Sequence, residues 1–143
     1  FDIYGAQSLI PSLIGAAKNG VNIHILGRRI CDPQDQGFDP SVGCIASAFV
    51  KKDLVNKIEI RDFFRQDESG RLIYGLHSKM MIADKLIAYI GSANITKHSL
   101  RSNFEIGVIL KGRGIEPLLT ITGALWSEST IIDPKYIATL VDE

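Results

Sequence analysis

The chain lacks an excess of charge of either sign, with 16 Lys and Arg against 16 Asp and Glu. A balanced chain has no global pull toward a polyanion, so any nucleic-acid contact must come from a local basic groove. It has no apolar run long enough to cross a bilayer as a helix. No secretory signal is visible at its start, and the expectation is a cytoplasmic protein. Cysteine is scarce: Cys31 and Cys44 flank a loop rich in Asp, Pro, Gln and Gly. A disulfide could close that loop, but a reduced, partly buried pair is the expected state. Two cysteines with His24 nearby match no usual zinc spacing, so neither a metal nor any other cofactor is expected. Aromatic residues make up 8% of the chain, few for base stacking, and Tyr4, Tyr74 and Tyr89 have no assignable place. There is no internal repeat or low-complexity segment. A length of 143 residues is that of one domain with a real core.

Hydrophobic spacing supplies the elements. Leu9, Ile10, Leu13, Ile14 and Ala17 form a helical stripe over residues 6–19, stopped by Asn19-Gly20. Residues 21–26 alternate as a strand. A polar loop follows over 28–40, and Asp39-Pro40 predicts an N-cap and first turn of a helix running to about Val55. Strands are expected at 58–64, from Leu72, at 79–83, at 86–90 and at 104–110, with a tight Asp84-Lys85 turn making a hairpin. Helical spacing returns at 115–126, and Asp133-Pro134 caps a last short helix. This order predicts a mixed α/β fold, a central mixed sheet flanked by helices. Residues 1–4 read as the stub of a strand, so a truncated N-terminus lacking its first strand, or a fragment of a longer chain, is expected.

The chemistry concentrates in His77-x-Lys79-(x)4-Asp84-(x)6-Gly91-Ser92-x-Asn94. An imidazole can attack phosphorus, an ammonium can neutralise phosphate oxygens, and Ser and Asn can donate hydrogen bonds to them. His77 and Lys79 are two apart and so share a strand face. Asp84 has the opposite parity and falls at the hairpin turn, which predicts a role in the turn rather than on the substrate. Gly91 permits a close turn, and Ser92 and Asn94 follow in the loop where phosphate-contacting groups usually lie. Glu105, between Phe104 and Ile106, is a carboxylate costly to bury unpaired, and an imidazole is its natural partner. Each residue alone has an ordinary structural explanation; their joint spacing does not.

This constellation resembles the motif of the phospholipase D superfamily. Asn103-Phe104-Glu105-Ile106-Gly107 resembles that family's next strand, and the helix and strand ending "AAKNGVNIHIL" resemble its upstream unit. The resemblance implies a phospholipase D-like half and a phosphodiesterase that needs no metal. His77 would form a phosphohistidine, Lys79, Ser92 and Asn94 would hold the phosphate oxygens, Glu105 would orient His77, and Asp84 would be structural. It also implies a second histidine from a second motif copy. Neither His24 nor His98 has lysine two residues on, so a homodimer partner or a missing part of the chain must supply it.

For the substrate, the leading expectation is DNA or RNA, cut by a nuclease. Lys97, His98 and Arg101 follow the Ser92–Asn94 loop, and Arg28-Arg29 ends the strand at Leu26; Lys97, Arg101 and Arg28 are the candidate nucleic-acid contacts. The alternative is a phospholipid-processing phospholipase D or phosphatidyltransferase, for which the 28–43 loop offers only Ile30, Phe38 and Val42 as apolar contacts. A non-catalytic binding or dimerisation module is the third reading.

Overall fold

Ile23, Ile25, Ile58 and Ile60 pair in register on two parallel strands, and their side chains meet the apolar sides of three helices. That packing is the main core. The computed structural model describes residues 4–31, 40–94 and 102–141. Helix α1 (Tyr4–Lys18) leads into β1 (Ile23–Gly27), helix α2 (Ser41–Lys51), a 3₁₀ turn (Val55–Lys57) and β2 (Ile58–Asp62). Strands β3 (Phe64–Gln66) and β4 (Leu72–Gly75) form a hairpin, and β5 (Lys79–Ala83), β6 (Ile87–Gly91) and β7 (Gly107–Lys111) follow. A second 3₁₀ turn (Gly112–Ile115), helix α3 (Glu116–Glu128), β8 (Thr130–Ile132) and helix α4 (Pro134–Thr139) complete the order.

The fold is mixed α/β, as expected, and among the described residues the strands form three small sheets: β1-β2-β8, β3-β4 and β5-β6-β7. The first is mixed, with β1 and β2 parallel and β8 antiparallel to β2. A parallel pair needs a crossover, and α2 supplies it. Phe49 and Ile60, both fully buried, fasten that helix to the sheet with Ile14, Ala17, Ile45 and Ile137 around them. The opposite face holds α3. Trp126 stacks on His24 at 5.0 Å between ring centroids, and the Arg61 guanidinium lies 5.1 Å from the indole centroid. Arg61 Nη1 also donates to the carbonyls of Trp126 (3.2 Å) and Ser129 (3.1 Å), closing the C-terminal turn of α3 with a positive charge where the helix dipole favours one.

Several boundaries differ from the sequence expectation, each for a local reason. Tyr4 opens α1 and is not the end of a strand; residues 1–3 lie outside the described residues. Helix α1 does end at Asn19-Gly20: Gly20 takes φ +94° while Val21 N–H donates to Ala16 O and Gly20 N–H to Ala17 O. Helix α2 stops at Lys51, short of Val55, by the same device built on Asp53 at φ 57°. Leu54 N–H donates to Phe49 O and Asp53 N–H to Val50 O. The expected cap Asp39 lies outside the described residues, and Pro40 precedes the first helical residue. Asp133 does cap the last helix, its carboxylate accepting from Lys135 N–H at 2.9 Å. Strand β8 had no sequence signal. Cys31 and Cys44, both partly buried, form no disulfide.

Asp62 ends β2 on its buried side, 5% exposed. Its two carboxylate oxygens accept from Arg29 N–H at 2.7 Å and Ile30 N–H at 2.9 Å, tying the loop after β1 to the end of β2. Burial raises its carboxyl pKa above the ordinary range, against the opposing pull of the Ile30, Arg29 and Phe63 backbone N–H groups and the Arg29 charge. Burial, with the Asp62 charge beside it, also raises the Cys31 thiol.

Candidate active site

His77 lies in the short segment between β4 and β5, exposed, and Lys79 is the first residue of β5. The two share a side, as their spacing predicts. Lys79 Nζ stands 3.3 Å from His77 Nδ1, 3.2 Å from Nε2 and 3.0 Å from the His77 carbonyl oxygen. An ammonium over an accessible imidazole is a place for an anion: an oxyanion drawn to the lysine arrives beside the ring nitrogens.

The antiparallel register brings in the second part of the motif. Lys79 pairs with Gly91 and Gly91 with Gly107, so Ser92 leaves the sheet one residue after the glycine facing Lys79. Ser92 N–H donates to Ile106 O at 2.9 Å, and Ile106 N–H donates to Ser92 Oγ at 3.1 Å. Ser92 Oγ donates in turn to Glu105 Oε2, whose other oxygen receives Asn103 Nδ2 at 3.4 Å. Strand β7 starts at Gly107, not Phe104. Glu105 therefore sits on irregular chain, shaped by Ser92. Ser92 and Asn103 thus each engage one oxygen of the Glu105 carboxylate. Asn94 is exposed two residues beyond Ser92.

Asp84 occupies the far tip of the β5–β6 hairpin. Six residues of near-extended chain lie between it and His77, roughly 20 Å. Asp84 and Lys85 take φ 52° and 57°, and Leu86 N–H donates to Ala83 O at 3.0 Å. Two successive left-handed residues make the turn that matches strand twist, a position for Asp or Asn followed by Gly. Asp84 thus meets the turn's demand and lysine does not. Lys85→Gly is expected to stabilise the hairpin by about 0.5–1 kcal/mol without changing activity, checked by denaturant unfolding.

Of the expected nucleic-acid contacts, Lys97 and Arg101 lie outside the described residues, with His98. Arg28 is within them, and its Cδ and Cγ lie against Gly75, where a β-carbon would stand 2.6 and 2.7 Å away. Its methylene stem packs on the strand leading to His77. Tyr89, unplaced by the sequence, lies with its ring across Gly91 and Gly107. Among the described residues no cluster of three or more His, Cys, Asp or Glu could hold a metal ion.

Residues 3–124 match the family described as cardiolipin synthase, PLD-like domain. The chain belongs to the phospholipase D superfamily. A cardiolipin synthase A of Buchnera aphidicola subsp. Baizongia pistaciae is 36% identical over 74 residues, 48% of this chain and 15% of the relative. A cardiolipin synthase A of Edwardsiella ictaluri is 25% identical over 130 residues, 90% of this chain and 24% of the relative. The chain thus spans a quarter or less of the curated relatives it matches. These matches, to a family and to relatives named as cardiolipin synthases, overturn the leading expectation of a nuclease in favour of the alternative reading.

Proposed function

We propose that this chain is one catalytic half of a phospholipid-processing phosphodiesterase that transfers a phosphatidyl group, with His77 as nucleophile. The His77 ring nitrogen attacks the lipid phosphorus and a phosphohistidine forms as the headgroup oxygen leaves. That oxygen takes its proton from the histidine of a second motif. The hydroxyl of an acceptor alcohol, or water, then gives its proton to that second histidine and attacks phosphorus, breaking the P–N bond and freeing His77. Lys79 neutralises the non-bridging oxygens, and Ser92, steadied by Glu105, presents its loop to the same phosphate with Asn94. The second motif comes from the remainder of a longer protein, a reading supported by the length of the relatives.

The observation that carries the choice of lipid is the company the phosphate site keeps. Phe104, 90% exposed, and Ile106, 66% exposed, flank Glu105, and Met81 and Ile109 continue the exposed apolar surface on the sheet face of Lys79. A phospholipid must bring its acyl chains wherever its phosphate goes, and apolar surface beside the ammonium suits that ligand better than a polyanionic nucleic acid. No helix among the described residues is long and apolar enough to cross a membrane. We infer that this unit acts on its substrate at a lipid surface.

The test is to incubate the protein carrying both motifs with phosphatidylglycerol vesicles and, separately, with plasmid DNA, and to follow products by mass spectrometry and gel. Release of glycerol with formation of cardiolipin, or of phosphatidic acid if water is the acceptor, is expected, and intact plasmid. Intact lipid with cut DNA would refute the proposal.

A further inference from the structure

Tyr89 stands on β6 two residues before Gly91, on the sheet face that carries Lys79. Its ring leans toward the end of the strand and lies across the Gly91–Gly107 pair. A β-carbon on Gly107 would stand 2.6 Å from both Cζ and Oη of Tyr89. One on Gly91 would stand 2.5 Å from Cζ, collide with Oη, and come within 2.8 Å of Ile106 O. Real β-carbons do not approach heavy atoms so closely, so both positions must be glycine while the ring lies there. Two facing glycines weaken a sheet, through lost side-chain packing and a larger entropy cost of ordering. Something is gained by laying the ring down.

What the ring does is carry its hydroxyl to the site. Gly91 is the direct partner of Lys79 across β5 and β6 and of Gly107 across β6 and β7. The phenol oxygen therefore hangs over the row Lys79–Gly91–Gly107, at the end of the sheet where His77 enters and Ser92 leaves. Direct cross-strand positions are about 5 Å apart, so the hydroxyl and the lysine ammonium can reach one ligand atom group together. Among the described residues no group hydrogen-bonds the Tyr89 hydroxyl.

We propose that Tyr89 is a substrate-binding residue whose hydroxyl donates a hydrogen bond to a non-bridging oxygen of the phosphate held by Lys79, and that Gly91 and Gly107 are glycines to let the ring reach it. The proposal deepens the reading of the site as a phosphodiester site and does not depend on which phosphodiester is the substrate. It differs from a purely structural role, in which the ring only covers bare glycine backbone. Tyr89→Phe separates the two, because it keeps the ring and removes the donor.

The experiment is calorimetric titration of the full chain with inorganic phosphate and with dihexanoyl phosphatidylglycerol, alongside thermal melts. Tyr89→Phe is expected to weaken phosphate binding at least about tenfold, as for a lost hydrogen bond to a charged group, with an unchanged melting temperature. Unchanged phosphate affinity in Tyr89→Phe overturns the proposal, as does a wild-type protein that binds no phosphate at millimolar concentration. Gly107→Ala, which tips the ring away, is expected to cause a similar loss that does not add to that of Tyr89→Phe; full additivity also overturns it. If the lipid is neither bound nor turned over while Tyr89→Phe still weakens phosphate binding, the lipid reading fails and the Tyr89 assignment stands.

Discussion

Replacing His77 with alanine is expected to reduce turnover of the phosphodiester at least about a thousandfold, since a covalent route without its nucleophile has no substitute in this site. The side chain is exposed, and its hydrogen bonds are to Lys79 alone among the described residues. Removing it leaves no cavity and no buried group without a partner. Stability should therefore change by no more than about 0.5 kcal/mol, as for an ordinary surface substitution. Initial rates on phosphatidylglycerol and a thermal melt on the same preparation check both halves. A variant that turns over lipid at the wild-type rate would remove His77 from the mechanism, and a variant that melts early would show that the histidine also serves the fold.

Asp62→Ala carries the opposite signature, a large loss of stability at a distance from the chemistry. Its carboxylate is the acceptor for two N–H groups, and Arg29, one of the donors, is held at φ 52°, a left-handed conformation that costs a non-glycine residue about 1 kcal/mol or more. Deleting the carboxylate strands the buried Ile30 N–H and frees Arg29 to leave that conformation. The expected cost is about 2–4 kcal/mol, read from denaturant unfolding. Asp62→Asn, which keeps one acceptor, should lose less. The pH dependence has a definite sign. Because burial raises the folded-state pKa of this carboxyl, its ionisation term is most favourable to folding below the ordinary carboxylate range and is lost as pH rises through the raised value. Asp62→Asn should lack that component of the stability profile. A profile identical to wild type would mean that Asp62 keeps an ordinary pKa in the folded protein.

What could be read from the sequence depended on how far each signal had to reach. The β5–β6 hairpin was legible because alternation and an Asp-led turn are both local, and α1 was legible because Gly20 announces its own left-handed cap. The end of α2 was not, since Asp53 adopts the same conformation without being glycine. Strand β8 is three residues long and exists through β2, some 70 residues earlier in the chain. The site divided along the same line. His77, Lys79 and Ser92 stand in one short stretch, so strand parity and the hairpin sufficed to bring them together. The cost of burying a lone carboxylate between Phe104 and Ile106 predicts a partner for Glu105, but its contact with Ser92 depends on the chain crossing to Ile106, which no local pattern shows. Tyr89 was unplaceable because its position depends on the absence of a side chain at Gly107. The substrate expectation divides in the same way. Basic residues after the motif are visible in the sequence, while the exposure of Phe104 and Ile106 is a property of the folded surface.

Among the described residues, the buried ones of the main core all lie outside β5, β6 and β7. The groups proposed to react stand on or beside a hairpin and its neighbour, whereas cohesion comes from the packing of α1, α2 and α4 on β1 and β2. Such a division separates two kinds of selection. Substitutions that retune the headgroup or the acceptor can accumulate on the small sheet without eroding the part that keeps the chain folded, which gives one scaffold room to explore many phosphodiesters.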